Sequence, residues 1–285
     1  MSLKQSIKRH PRIKRVAQIL RGDQILALNY PVTLKPRYDG GVHPKLYELI
    51  SSRREEFKIL LQSFLKYQNQ LAALKKMRWV NGYLPALDSV CLYCLLGQRN
   101  PRRYLEIGSG NSTIFARQSI KDNGLKTRII SVDPRPRAEI DALCDEVVRT
   151  PVEDVSLSIF DQLEPGDVLF VDNSHRCLPN SDVTVFFVDI LPRIKPGVLI
   201  HLHDICLPWD YPDAVAQDAY SEQYLLATAL LMGNRLKTLL PNQFISRTPE
   251  LLSILDPILD SLGKVEREGC SYWISLNPEV TSVAQ

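Results

Sequence analysis

Short apolar runs alternate with helix-like stretches over residues 103–204, and the runs end in or next to carboxylates. Arg103–Ile107, Thr127–Val132, Glu146–Arg149, Asp167–Val171 and Val198–His203 read as strands from their apolar and β-branched content. Ser112–Asp122, Ala138–Leu143, Asp182–Ile194 and Ser221–Leu231 read as helices. Strands that each hand over to a helix pair in parallel, and right-handed crossovers then put helices on both faces of the sheet. Ligands of such sheets gather outside the carboxyl ends of the strands. Glu106, Asp133, Glu153 or Asp154, Asp172 and Asp204 fall along that edge. A row of acids gains nothing there from packing, so the expected reason for it is chemical. Arg235–Leu240 and Cys270–Leu276 fit two closing strands.

The turn after the first strand narrows the ligand. In Tyr104-Leu-Glu-Ile-Gly-Ser-Gly-Asn-Ser-Thr113 an apolar strand ends in an acid and runs through two glycines into a helix. Glycines let the backbone approach a ligand closely, and the helix start offers free N–H groups. A dinucleotide fingerprint has Gly or Ala at its third position, where this chain has Thr113. Glu106, two residues before the first glycine, suits an ammonium group and opposes a diphosphate. Asp133, after the second strand, is placed to accept the hydroxyls of a ribose. The electrostatics therefore favour S-adenosylmethionine over NAD. Asn111 and Ser112 close the turn or cap the helix that follows.

Composition bounds the rest. At 45% hydrophobic and 24% charged, the 285 residues suit one large globular domain with an extension. No run approaches the roughly 18 apolar residues of a membrane span, and no apolar region follows the basic N-terminus. Six cysteines include a single C-x-x-C pair, Cys91 and Cys94, inside an apolar helix-like run, so buried thiols in a reducing cytoplasm are expected. Residues 1–21 hold seven basic groups and no acid, leaving 28 basic against 32 acidic residues elsewhere. The body is thus not basic enough for a general nucleic-acid binder. From Pro44 to Lys76 apolar residues recur at helical spacing, predicting one long amphipathic helix or two, packed on the main domain or on a second copy of the chain. The expected division is 1–78, a basic arm with a helical extension that offers a homodimer face, and 79–285, the sheet domain.

Three segments carry a family resemblance: Glu106-Ile-Gly-Ser-Gly110, Val132-Asp-Pro134 and Asp167-Val-Leu-Phe-Val-Asp172. They resemble the successive motifs of class I S-adenosylmethionine-dependent methyltransferases. Asp172-Asn-Ser-His175, Pro196-Gly-Val-Leu-Ile-His-Leu-His-Asp204 and Glu222-Gln-Tyr-Leu-Leu226 are similar to a bacterial branch related to the sugar O-methyltransferases of macrolide biosynthesis. The resemblance implies a Rossmann-like, seven-stranded α/β sheet with helices on both faces and an antiparallel closing pair. It implies that Glu106, Gly108, Ser109 and Gly110 hold the methionine part, Asp133 the ribose, and Glu153 or Asp154 the adenine. It makes His175 the general base and Asp172 its neighbour at cofactor and acceptor, with Asp172 and Asp204 as ligands of an optional Mg²⁺. A histidine that titrates near neutrality suits removal of a hydroxyl proton, and a hard cation would acidify the same hydroxyl. The acceptor implied is a small molecule or glycan methylated at oxygen.

Several residues keep two readings. His201 and His203 share one strand face that turns to the core or to the cleft. Trp209 and Tyr211 either stack on an acceptor or form a packed lid. Trp79, Tyr83 and Asp88 either cap the cofactor or pack. The competing functions are an NAD(P)-linked dehydrogenase or sugar epimerase, for which no Tyr-x-x-x-Lys pair is found near the cleft, and a non-catalytic cofactor-binding scaffold.

Overall fold

β1 (Arg103–Ile107), β2 (Arg128–Val132), β3 (Glu146–Val148), β4 (Val168–Val171), β5 (Leu199–Leu202), β6 (Leu236–Pro241) and β7 (Tyr272–Leu276) form one sheet in the order β3-β2-β1-β4-β5-β7-β6. This computed structural model describes residues 29–38, 40–136 and 138–277, so the basic arm at 1–21 lies outside the described residues. β1 to β5 pair in parallel and β7 runs antiparallel between β5 and β6, as the resemblance implied. All four residues of β4 and of β5 are buried. That is why these segments read as continuous apolar runs rather than alternating ones. The strand order reverses between β1 and β4, where Ile107 aligns with both Val132 and Val171. Chain segments leaving β1 and β4 there part to opposite sides and open a crevice.

The helices include α1 (Pro44–Ser51), α2 (Arg54–Phe64), α3 (Gln68–Ala73), α4 (Ala86–Arg99), α5 (Asn111–Asp122), α6 (Asp182–Val185) and α7 (Glu222–Met232), alongside several further short helices and turns. Among the described residues no helix is long and apolar enough to cross a membrane. α4 is buried along its first eleven residues, Cys91 and Cys94 included. It ends at Asn100 in the left-handed conformation, a habitual exit for a helix. Asp182–Ile194 is helical but changes pitch, passing from α6 through a π-turn at Phe186–Ile190 to a 3₁₀ turn at Leu191–Arg193. Pro192 cannot donate and crowds the carbonyl four residues back, which widens the turn before it. Of the helix expected at Ala138–Leu143, only a 3₁₀ turn at Asp141–Leu143 forms.

The Pro44–Lys76 stretch is three helices rather than one or two. Ser51 and Ser52 turn their hydroxyls onto the carbonyls of Glu48 and Leu49, and Arg53 leaves the helix to donate to the carbonyl of Thr238. Such side-chain bonds compete with the helical ladder. The apolar stripe, with Phe57, Leu61, Phe64 and Leu71 buried, lies against a helical segment at residues 249–262 of the same chain. That segment, between β6 and β7, was not legible beforehand. Pro249 and Pro257 suggest interruption, yet each sits in the first turn of a short helix, where proline is tolerated.

Candidate active site at the carboxyl edge of the sheet

β1 delivers the glycine turn to the crevice. Gly108 has φ +77°, and a Cβ there would lie 1.9 Å from the carbonyl oxygen of Asp172. Only glycine lets the β1 and β4 exits approach this closely. The turn is then tied in place. Gly108 N–H donates to the carbonyl of Val132 at 3.0 Å, Ser109 N–H to Asp133 Oδ2 at 2.8 Å, and Gly110 N–H to Thr113 Oγ1 at 3.1 Å. The Ser109 and Ser131 hydroxyls are bonded at 2.7 Å.

Two cavities open on this turn and share Ser109 and Asp172. The first, about 310 Å³, is bordered by Gly108, Asp133, Arg135, Val152, Glu153 and Asn173. The second, about 170 Å³, is bordered by Arg78, Asn81, Tyr83, Gly110, Asn111 and Ser112. The expected cofactor residues thus assemble along one cleft, with two refinements. Glu153 borders the cavity and Asp154 does not. Glu106 differs from its expected position: it is 0% exposed and lies beneath the turn. Its carboxylate accepts from Tyr104 Oη at 3.1 Å, Ser112 Oγ at 3.0 Å and Thr113 Oγ1. Burial pushes the carboxyl up to about 7, against the pull of the Thr113, Ser112 and Tyr104 hydroxyls. Its side chain shares a strand face with Tyr104 and ties the turn from below through the Ser112 and Thr113 hydroxyls. Thr113, read above only as a missing glycine, is the hinge between Glu106 and Gly110.

Asp133 keeps an accessible position, accepting from two backbone N–H groups, Ser109 on one oxygen and Arg135 on the other at 2.7 Å. Carboxylate oxygens have further acceptor sites, so a ligand hydroxyl can still be met.

Beyond β4 and β5 the second cluster assembles. His175, 3% exposed and at φ +61°, points Nδ1 at Glu222 Oε2, 2.8 Å away. Nε2 lies 3.4 Å from Asp172 Oδ1 and 3.4 Å from Asp204 Oδ2. Glu222 also accepts from Asn173 Nδ2 at 2.9 Å, and Asn173 Oδ1 accepts from His175 N–H. Burial alone would lower the imidazole, but hydrogen bonds to Asp172 and Glu222 and the charge of Asp204 outweigh it and hold the ring at about 9. Asp204 shares the left-handed backbone, at φ +52°. Non-glycine residues held there cluster at functional sites. The sequence motif contained Glu222, but only the fold brings α7 behind the histidine.

The two-reading residues resolve. His201 is a core residue, stacked on Phe170 at 3.7 Å and bonded through Nε2 to Ser271 Oγ at 2.7 Å. His203 is buried too, but turns Nδ1 to the carboxylates at the strand ends, 3.4 Å from Asp204 Oδ1 and 3.7 Å from Asp172 Oδ1. Trp209 packs on Phe244 and under the Arg247 guanidinium, and the buried Tyr211 hydroxyl accepts from Gln223 N–H. Both are packing residues, and neither borders the two cavities on the glycine turn. Trp79 packs on Phe115, whereas Tyr83 is 59% exposed over the second cavity. Asp88 is fully buried on α4 and does not cap the cleft.

The Mg²⁺ expectation meets a poor donor set. Asp172 and Asp204 come together, but both carboxylates are turned onto the ring nitrogens of His175 and His203. A hard cation needs several oxygen donors, and two carboxylates each set against imidazole nitrogens supply few of them. No step is therefore assigned to Mg²⁺.

Residues 105–205 match the family model described as a methyltransferase domain, Methyltransf_24. The chain matches no curated protein sequence. Among solved structures, it is similar to a methyltransferase of Podospora anserina bound to SAH (16% identity, TM-score 0.42, 74% of this chain and 88% of that one). It is also similar to an O-methyltransferase of Bacillus cereus in complex with SAH (17% identity, TM-score 0.40, 76% and 91%). A third is the plantazolicin methyltransferase BpumL in complex with a monoazolic desmethylPZN analog and SAH (14% identity, TM-score 0.42, 82% and 100%).

Proposed function

We propose that this chain, whose residues 105–205 match a methyltransferase domain, transfers the methyl group of S-adenosylmethionine to a hydroxyl oxygen of a small-molecule or glycan acceptor. The seven-stranded sheet is that of class I methyltransferases. The observation that carries the reading is the junction at Asp172. This residue borders both the glycine-turn cleft and the His175 cluster, so the cofactor and a base meet at one side chain.

In this reading Gly108, Ser109 and Gly110 run beside the methionine part, with the start of α5 supplying N–H groups. Asp133 takes the ribose hydroxyls, and Val152 and Glu153 border the adenine. S-adenosylmethionine supplies an electrophilic methyl on a sulfonium, and the new C–O bond forms as the C–S bond breaks in line. Positioning supplies most of the acceleration for such a displacement. The remaining task is the hydroxyl proton. Glu222 holds His175 by Nδ1, as an orienting carboxylate does for a catalytic imidazole, and turns Nε2 toward Asp172 and Asp204, whose contacts an acceptor hydroxyl would have to replace. Because Asp172, Glu222 and Asp204 favour the charged ring, His175 must first lose its own proton.

Calorimetry with S-adenosylhomocysteine tests the cofactor half. Binding by the wild-type chain and at least tenfold weaker binding by Asp133→Ala are expected; no binding, or equal binding, overturns it. Transfer of labelled methyl to an acceptor panel tests the chemistry. His175→Ala should keep cofactor affinity and lose transfer, and near wild-type transfer removes His175 as base.

A further inference from the structure

Asp88, His203 and Cys270 come from α4, the end of β5 and the loop before β7, and methyl transfer as described uses none of them. Their ligand atoms form a nearly even triangle: Asp88 Oδ2 to Cys270 Sγ 3.4 Å, Cys270 Sγ to His203 Nε2 3.5 Å, and His203 Nε2 to Asp88 Oδ2 3.6 Å. Among the described residues this is the one group of three such side chains whose ligand atoms lie mutually close. We propose that Asp88, His203 and Cys270 are three ligands of a transition-metal site suited to zinc.

The spacing is the first reason. Zinc bonds of about 2.0–2.3 Å arranged tetrahedrally put neighbouring N, O and S ligands roughly 3.3–3.6 Å apart. A buried His–Asp pair stabilised only by its own hydrogen bond would close to about 2.7–2.9 Å. Here the histidine–carboxylate contact stays open at 3.6 Å, the two thiol contacts have the length of hydrogen bonds to sulfur, and all three sides match the edges of a tetrahedron.

Support behind the ligands is the second reason. Asp88 is fully buried; Oδ1 accepts from Asn242 Nδ2 at 2.7 Å and Ser271 N–H at 3.1 Å, and Oδ2 from Cys270 N–H at 2.9 Å. His203 turns its other nitrogen, Nδ1, to Asp204 and Asp172. A carboxylate behind a ligating histidine fixes its tautomer and orientation. The donor set of thiolate, imidazole and carboxylate is that of zinc and cobalt and not of magnesium.

The fourth corner is the third reason. Asp204 Oδ1 lies 3.2 Å from Cys270 Sγ, and Asp204 and Cys270 both border a cavity of about 240 Å³ beneath Trp79 and Tyr83. Of the three ligands, Cys270 borders that cavity, so an exchangeable fourth ligand would enter from its side.

The test uses the full-length chain purified without a polyhistidine tag. About one zinc per chain is expected by mass spectrometry of the purified protein. After chelator treatment, Co²⁺ should give tetrahedral d–d absorption in the visible and a thiolate charge-transfer band in the near ultraviolet. Cys270→Ser should lose the charge-transfer band, and Cys206→Ser should keep it. Zinc K-edge absorption on the wild-type chain gives a reading independent of any variant's folding, with one sulfur and the rest nitrogen or oxygen. Zinc below one tenth per chain without a cobalt–thiolate band, a band that survives Cys270→Ser, or an absorption shell lacking sulfur overturns the site.

Discussion

At residue scale, Glu106 and His175 have each been moved far from the ordinary range, and each shift has a measurable consequence. Glu106 is raised from 4.5 to about 7 by burial. Below pH 4.5 it is protonated in folded and unfolded chains alike. As pH rises through 7 the buried group must ionise too, and up to about 3 kcal/mol of stability is lost over that window. Urea unfolding from pH 5 to 8.5 should therefore show the wild type losing ground against Glu106→Gln; a pH-independent difference contradicts the assignment. His175 is held at about 9, so its basic form grows with pH up to that value. The rate of methyl transfer should rise through the same range. Glu222→Gln removes one carboxylate that favours the charged ring, so the rising limb should move to lower pH, while a purely structural Glu222 would leave it in place. Gly108→Ala combines left-handed backbone with a 1.9 Å collision on a main-chain oxygen. A loss of about 2–3 kcal/mol or more, together with loss of S-adenosylhomocysteine binding, is expected by thermal unfolding and calorimetry.

At the scale of elements, the helices before the sheet and those between β6 and β7 stabilise each other. Phe57 is fully buried on α2 and contacts Phe244 edge to face. Phe57→Ala should cost about 3–5 kcal/mol in denaturant unfolding. The apolar stripe, expected to pack on the main domain or on a second copy of the chain, is largely covered by helices of the same chain. The strap ahead of α1 is fastened at one side chain. Asp210 accepts from the N–H groups of Arg37 and Tyr38, His43 Nε2 and Tyr224 Oη, while Val42 pairs with Trp209. Asp210→Ala should speed hydrogen exchange at residues 37–43 and 206–212 with little change in β1 and β4. Uniform acceleration across the sheet would instead mean that the strap and the sheet unfold together.

For the whole molecule, the cleft at the reversal of strand order is the joint between the two halves of the sheet. A ligand seated there stabilises the folded chain by mass action. S-adenosylhomocysteine at a hundredfold excess over its Kd should add about 2.7 kcal/mol, or roughly 4–5 °C in Tm for a chain of this size. NAD at the same concentration should leave Tm unchanged.

β1, β2, β4 and β5 and the acids at their ends were legible because buried parallel strands have a one-dimensional signature: apolar runs, punctuated by polar ends. Gly108 and Asp133 were legible for the same reason, since local backbone demands and strand ends are properties of short segments. Residue types by themselves do not reveal which way a side chain faces or what stands behind it. Glu106 looks like a cofactor ligand in sequence, and only the packing of Tyr104, Ser112 and Thr113 around it turns it into the keystone of the turn. Glu222 behind His175, and Asp88 and Cys270 beside His203, are brought together across 47, 115 and 67 residues of chain. Contacts of that span are set by how helices close over the sheet, so the sequence determined the sheet and its ligand-binding edge, and the tertiary structure alone decided which buried groups converge there.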